Sequence, residues 1–403
     1  MIRSTKTTLR FVNTNKLTVL HQIIDEYKRV MSEFVDVLWN IDKCPVLVPR
    51  EITDKMQTWL STRMKQCIAK QASGIVRGTK QKQKQRLFII NKLNDNRSYK
   101  KARKLQAIYD KNLSSKPKIN DIELELDSRF IKIETKNVNS FDGWITITSI
   151  GNKLRLEIPF KRTAHYNKLN LIGKIKSGIR LSKSNITFIF DCEPTKNSSN
   201  TTVGIDIGVN SLLSVDTGST RFQSGKDIHG HDLNSINSTL ARKKVGSNSF
   251  KRTQSHRTNY INHQINLLNW DDIKILRIEK IRNLRKGKPT SRKLKHFTYN
   301  EIFDRLKLKA EEHNVCVQEI SPTYTSQRCS CCGWTRKTNR NGLLFKCEKC
   351  SNEQNSDLNA STNIRLNLRE IGNKERLLHK NRIGFYWNEL SREPIVRDVL
   401  KAE

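Results

Sequence analysis

Two Cys-x2-Cys knuckles, Cys329–Cys332 and Cys347–Cys350, oblige the chain around them to fold back on itself. Four thiolates at that spacing make the tetrahedral shell of a structural zinc ribbon, a filled shell that organises structure and does no chemistry. Cys331 is a bystander, because only Cys329 has the two-residue gap to Cys332. Disulfides are disfavoured: the chain is read as lacking a signal peptide, and Cys44, Cys67, Cys192 and Cys316 are scattered singly. Ser351 stands where a second knuckle often has glycine, which leaves the turn geometry there open.

Just beyond the knuckles, Asp357 heads a predicted helix in which Asp357, Ala360, Ser361, Ile364 and Leu368 line one stripe. Two other acids sit on predicted strands. In Val203-Gly204-Ile205-Asp206-Ile207-Gly208 the apolar residues share one face and Asp206 points to the other between two glycines, which are expected to leave room for a metal ion and a phosphate. A turn at Asn210-Ser211 leads to a partner strand, Leu212 to Val215. In Ile275-Leu276-Arg277-Ile278-Glu279 the acid again opposes the apolar face. Asp206, Glu279 and Asp357 can therefore meet at one end of a sheet. Carboxylates within about 4 Å of one another repel by roughly 4 kcal/mol per pair at an effective dielectric near 20, so such a cluster normally holds divalent cations. Oxygen-only ligation favours magnesium or manganese, and a pair of such ions hydrolyses phosphodiesters. The layout reads as a metal-dependent nuclease with a zinc ribbon inserted in its catalytic fold.

The formal net charge of +36 over 403 residues makes a large polyanion the expected partner. Its cations are spread along the chain, as suits a protein that encloses long nucleic acid. The candidate contacts are Lys80, Lys82, Lys84 and Arg86, then Arg242, Lys243 and Lys244, then Lys251, Arg252 and Arg257. No apolar run reaches the about 18 residues that a membrane-spanning helix needs.

The period of the pattern changes along the chain. A strand from Thr7 to Val12 leads into a helix whose apolar positions, Leu17, Leu20, Ile24, Tyr27, Met31, Phe34 and Leu38, step by three and four. Met56, Leu60, Met64 and Ile68 mark a second helix, and a basic third runs from about Gln83 to Leu113. From Ile122 alternation takes over, with strands at Ile122–Leu126, Trp144–Thr148, Leu154–Ile158, Ile175–Leu181 and Ile186–Phe190 and a tight turn at Gly151-Asn152. An antiparallel barrel or sheet results, completed by the N-terminal strand. A polar linker after Glu193 enters the Asp206 strand, and a long polar, basic helical region separates Asp206 from Glu279.

These residues resemble the transposon-encoded TnpB nucleases and their relatives, the compact type V CRISPR effectors. The resemblance is carried by VGIDIGVNSLLSVD around Asp206, by ILRIEKIRNLRKG around Glu279, and by SPTYTSQRCSCCGW through FKCEKC to NSDLNASTNI around Asp357. It covers the C-terminal half; before about residue 195 only the order of helical and β segments is similar. The implied fold is multidomain α/β: a wedge-type β-barrel (1–14 and 117–195), a helical recognition domain (15–116), a RuvC-type, RNase H-like nuclease domain (196–325 and 353–373), a zinc ribbon (326–352) and a weakly ordered basic tail (374–403). The resemblance makes Asp206, Glu279 and Asp357 the catalytic acids, gives Asn359 and Asn363 a supporting role on their helix, and puts Thr325 and Ser326 in the lead-in to the ribbon. It implies a guide RNA and double-stranded DNA as partners, recognition of a short flanking DNA motif, cleavage, and a prokaryotic cytoplasmic location. Asn262-His263-Gln264 departs from the His-Lys pair common in such proteins, which puts a phosphate contact in doubt.

Three rival readings share some of these features. A DNA-strand-transferring transposase also uses a carboxylate triad, but the late ribbon inside the catalytic segment argues against it. A nuclease-inactive RNA-guided repressor keeps fold and charge and loses an acid, whereas all three acids are present. A zinc-ribbon transcription factor leaves the triad idle.

Overall fold

The N-terminal strand β1 (Ile2–Thr8) ends before Asn13, whose side chain accepts from the Lys16 N–H and starts helix α1 (Thr14–Trp39). Along α1, Leu20, Ile24, Tyr27, Met31, Phe34 and Leu38 are fully buried, as their spacing predicts. At roughly 1.5–3 kcal/mol for each large apolar side chain removed from water, this stripe fixes the helix in place. A short α2 (Arg50–Thr53) follows, then α3 (Thr62–Asp95) and α4 (Tyr99–Leu113). The helix expected from Met56 onward instead begins at Thr62, because the Ser61 hydroxyl caps it by accepting from Met64. It then runs on through the basic stretch until Arg97, in the left-handed region at φ 53°, turns the chain into α4.

This computed structural model describes residues 1–113, 115–135, 140–281, 292–366, 383–388 and 393–395. They divide into two compact units, Met1–Glu193 and Pro194–Glu403. The first unit continues through β2 (Leu124–Leu126), β3 (Ile131–Glu134), β4 (Gly143–Ile147), β5 (Leu156–Phe160), α5 (Ala164–Ile172), β6 (Gly173–Leu181) and β7 (Asn185–Cys192). Two antiparallel sheets result, β1-β7-β6-β2 and β3-β4-β5, and their inner faces share one apolar core with α1 and α3. The N-terminal strand pairs with β7 along its whole length. The turn at Gly151-Asn152 joins β4 to β5, with Asn152 and Lys153 left-handed. A side chain at Gly151 would meet the Trp59 carbonyl at 2.3 Å, so glycine lets the turn close onto the start of α3.

The second unit is built on β8 (Thr202–Asp206), β9 (Ser214–Asp216) and β10 (Arg221–Gln223), then α6 (Leu233–Arg242), α7 (Asn248–Asn266), β11 (Ile275–Glu279), α8 (Arg292–Lys295), α9 (Tyr299–Glu312) and β12 (Cys316–Ile320). The sheet order is β10-β9-β8-β11-β12, with β8, β11 and β12 parallel and β9 and β10 antiparallel to their neighbours. Val203, Ile205, Leu276 and Ile278 bury one face against Tyr260, Ile261 and Ile265 of α7 and Ile302 and Leu306 of α9. A small three-stranded sheet, β13 (Arg340–Asn341), β14 (Leu344–Lys346) and β15 (Glu353–Asn355), leads directly into α10 (Ser356–Leu366). The last described residues form an antiparallel pair of strands, β16 (Tyr386–Asn388) with β17 (Glu393–Ile395), inside the stretch expected as a weakly ordered tail. Phe385 beside it exchanges backbone hydrogen bonds of 2.9 and 3.0 Å with Thr335. The rest of 374–403, like Leu368 of the predicted helical stripe, lies outside the described residues.

Candidate nuclease and metal site

Strand register brings the first two acids together. Ile278 of β11 lies beside Ile205 of β8, so Glu279 and Asp206 end adjacent parallel strands, which run about 4.8 Å apart, and both project to the face opposite the apolar core. Helix α10 packs on that face. A side chain at Gly204 would meet the Ser361 carbonyl at 2.2 Å and the Arg365 nitrogen at 2.4 Å, so this glycine admits the helix rather than a metal ion as the sequence had suggested. Gly208 does border the acids: a Cβ there would lie 3.7 Å from Asp357 Oδ2. Asp357 is therefore delivered to the same sheet end from the first turn of α10, where Asn355 Oδ1 accepts from the Asp357 N–H at 2.9 Å. Ala360, Ser361 and Ile364 bury the rest of the expected stripe.

The three carboxylates sit in a poorly solvated place. Glu279 is 8% exposed and Asp357 6%, while Asp206 is half-buried. Burial pushes Glu279 up to about 7, although a hydrogen bond from Thr325 and the charge of Arg340 pull the other way. Burial also lifts Asp206 well above the usual carboxylate range, and the negative charges of Glu279 and Asp357 lift it further. Arg340 of β13 supplies positive charge, with Nη2 donating to Asp357 Oδ1 at 3.2 Å. Sequence reasoning missed Arg340, because β13 is only two residues long and the stretch between the knuckles carries no periodic signal. Tyr299 was also missed; its hydroxyl donates to the Glu279 carbonyl and fixes the end of β11.

Carboxylate oxygens are the ligands that hard divalent cations take, and Asp206 feels the charges of Glu279 and Asp357, although among the described residues only the four cysteines, as a group of three or more, bring their ligand atoms within 4.8 Å of one another. The four cysteines form a second centre. The sulfurs of Cys329, Cys332, Cys347 and Cys350 all lie within 4.8 Å of one another, with Cys329–Cys350 and Cys332–Cys347 at 3.6 Å. A tetrahedral ion with metal–sulfur bonds near 2.3 Å requires sulfurs about 3.8 Å apart, so the cluster can hold a metal ion. Cys331 is exposed and outside it. Ser351 adopts φ 57°, the left-handed conformation that Gly333 takes after the first knuckle at φ 81°.

The two centres are stitched together. Asn359 Nδ2 donates to the Arg328 carbonyl at 2.8 Å, and its Oδ1 accepts from the Ser330 N–H at 3.0 Å. Asn363 Nδ2 donates to the carbonyls of Thr325 and Arg328, both at 2.8 Å. The Thr325 hydroxyl in turn donates to Glu279 Oε1. Ser326 is half-buried in the same segment.

The basic residues separate into two groups. Lys82 and Lys84 on α3, Arg242 and Lys244 at the end of α6, and Lys251 and Arg252 on α7 are exposed, and Arg86 is half-buried. Others are spent on structure. Lys80 donates to the Ile41 carbonyl and lies 5.7 Å over the Trp39 ring, and Lys243 donates to Thr253 Oγ1. Arg257, expected at a nucleic-acid surface, is 6% exposed; it donates to the His296 carbonyl at 2.7 Å and pairs with Glu301 at 3.6 Å, tying α7 to α9. His263 is exposed on α7. No helix among the described residues is long and apolar enough to cross a membrane.

Residues 299–364 match the family model described as Cas12f1-like, TNB domain, a span that holds the four clustered cysteines, Arg340 and Asp357. The CRISPR-associated endodeoxyribonuclease Cas12f1 of Sulfoacidibacillus thermotolerans is 35% identical over 137 residues, 34% of this chain and 31% of that protein. The Cas12f1 of Syntrophomonas palmitatica is 44% identical over 61 residues, 15% of this chain and 12% of that protein. The matched part thus spans less than a third of these curated relatives' own length. Among solved structures, the cryo-EM Cas12f1-sgRNA-target DNA complex aligns with 91% of this chain and 98% of its own at 14% identity and a TM-score of 0.46. The mini-RNA-guided endonuclease CRISPR-Cas_phi3 aligns with 90% of this chain and 92% of its own at 11% identity and a TM-score of 0.48. The chain is similar to the compact, TnpB-like type V effectors.

Proposed function

We propose that this protein is an RNA-guided DNA endonuclease, which binds a guide RNA, recognises a short flanking motif on duplex DNA and hydrolyses DNA at Asp206, Glu279 and Asp357. The observation that carries this reading is the meeting of three acids from β8, β11 and α10 at one end of a mixed sheet, with the cysteine cluster threaded between β12 and α10. The strand order, three parallel strands extended at one edge by the antiparallel β9 and then β10, supports an RNase H-like, RuvC-type domain. The break between the two units at Glu193 supports ending a wedge-type barrel near residue 195. The remaining divisions, a recognition domain at 15–116 and a ribbon at 326–352, are part of the same proposal.

In this reading Asp206, Glu279 and Asp357 hold magnesium or manganese, and Cys329, Cys332, Cys347 and Cys350 hold zinc. Divalent ions bound at the acids supply activation of water and neutralisation of charge on the phosphate. The protein's own residues prepare the site. Thr325 and Tyr299 fix the carboxylate and carbonyl of Glu279, Asn355 fixes the helix turn that presents Asp357, and Arg340 offsets repulsion among the acids. Base pairing with the guide reads sequence, so the protein needs only backbone contacts and a short duplex reading. A cytoplasmic site of action follows from the same reading.

The test is cleavage of a guide-matched duplex by the purified ribonucleoprotein in magnesium. Asp206→Ala should abolish cutting while RNA binding stays within about twofold of wild type; undiminished cutting would refute the assignment.

A further inference from the structure

The segment 383–388 is seated on the first knuckle by contacts that support one another. Arg328, Thr335 and Phe385 lie side by side as antiparallel bridges, so the segment adds an edge strand to the loop that holds Cys329 and Cys332. Gly384 lies directly against the Trp334 indole: a Cβ there would fall 2.0 Å from ring carbon Cζ2, so any other residue would have to displace the ring. Tyr386 packs on the same indole with 4.9 Å between centroids.

Phe385 is buried, and its ring meets that of Tyr324 edge to face, 5.5 Å between centroids at 83°. Tyr324 is itself buried and left-handed at φ 63°. A bulky residue in that conformation is a genuine outlier, which persists only where the surroundings over-determine it. The Tyr324 carbonyl accepts from the Gln327 and Arg328 N–H groups, both at 2.9 Å, and so curls the chain into the knuckle. The next residue is Thr325, whose hydroxyl donates to Glu279 Oε1. The direction of that hydroxyl is thus set by a backbone turn one residue upstream, and the ring packed on the turn comes from beyond α10. Asn363 grips the Thr325 carbonyl, whereas Phe385 bears on the turn itself.

We infer that Phe385 is a positioning residue for the proposed nuclease: its ring holds the Tyr324 turn, and through that turn the Thr325 hydroxyl, against Glu279. The carboxylate is then oriented before a divalent ion arrives. The inference rests on the nuclease reading above and adds the segment 383–388 to the parts that reading needs. Outer partners that orient a ligand in this way are worth roughly 10–100-fold in metal affinity or activity.

The experiment titrates manganese into the full chain and counts bound ion by electron paramagnetic resonance, with zinc content and amide exchange measured in parallel. Phe385→Ala should raise the manganese dissociation constant about tenfold, keep its zinc and speed exchange at the Gln327 and Arg328 amides. Phe385→Leu, which keeps an apolar side chain against Tyr324, should recover most of the lost affinity. In a Thr325→Val background, where the hydroxyl is gone, Phe385→Ala should cost nothing further, because non-additivity marks a residue that acts through another. Full manganese affinity in Phe385→Ala would overturn the inference, as would an equal loss with and without the Thr325 hydroxyl. A loss that tracks departure of zinc in both Phe385 variants would overturn it too, by making the segment a prop of the ribbon alone. Manganese binding that is the same in wild type and Asp206→Ala would instead bring down the nuclease reading, and the inference with it.

Discussion

Ser351 shows how one residue records the constraint of a whole loop. After each knuckle the chain must turn through a left-handed position, and glycine meets that need at 333 whereas serine meets it at 351. A side-chain-bearing residue there costs roughly 1–2 kcal/mol. Ser351→Gly should therefore raise the thermal midpoint and slow zinc release to a chelator; an unchanged or lower midpoint would show that the serine is not strained. The glycine-like position was visible in the sequence because the two knuckles can be aligned by their cysteines. Arg340 was not visible, because a lone arginine in a loop has no partner in the pattern and acquires its meaning only when β13 turns it toward Asp357. The same holds for Arg257, which looks like any exposed cation in a basic run and is in fact buried against His296 and Glu301.

At the scale of elements, β8 and α10 are matched through a single missing side chain. Gly204→Ala would drive a methyl group into the backbone of α10 at Ser361 and Arg365, where no rotamer change can relieve the clash. We expect a loss of about 1–3 kcal/mol in denaturant unfolding and a collapse of magnesium-dependent cutting, since the helix that carries Asp357 must move away. Retention of wild-type cutting would mean the two elements tolerate separation. Strands β8 and β11 were legible because Val203, Ile205, Leu276 and Ile278 alternate with polar or small residues. Helix ends were less legible. Met56 and Leu60 continue the apolar spacing of α3 backward, but the Ser61 cap stops the helix, and Leu60 serves instead in a bridge to Gly151. Strand β3 escaped notice because its alternation lasts only four residues, and helix α5 because it is short and only part of its pattern is apolar.

At the scale of the molecule, the acid cluster couples proton binding to stability, and in the proposed nuclease it would couple metal binding as well. Glu279 is held at about 7 against an ordinary value of 4.5, and Asp206 is raised as well. A carboxylate whose folded value is raised contributes stability that is complete below its unfolded value and is lost as pH climbs through the folded one. Metal-free protein should thus lose stability between about pH 4.5 and 7, as unneutralised charge accumulates at the sheet end. In the proposed site magnesium would take the place of the protons, so its stabilising shift of the melting temperature should be larger at pH 8 than at pH 5.5 and should shrink in Asp206→Asn. A shift of equal size at both pH values would refute the coupling. The net charge of +36 points to a polyanion as the expected class of partner, but not to which cations would meet it, because exposure and internal pairing are properties of the folded chain.

The asparagine stitches of α10 have an outcome beyond stability. Cys329 follows Arg328, whose carbonyl is gripped by both asparagines, and Asn363 also grips Thr325, which holds Glu279. In the proposed nuclease, thiol oxidation or a soft, thiophilic metal such as cadmium at the cysteines would therefore reach the acids through a handful of amide contacts, and electrophilic stress would act as a distant brake on strand scission.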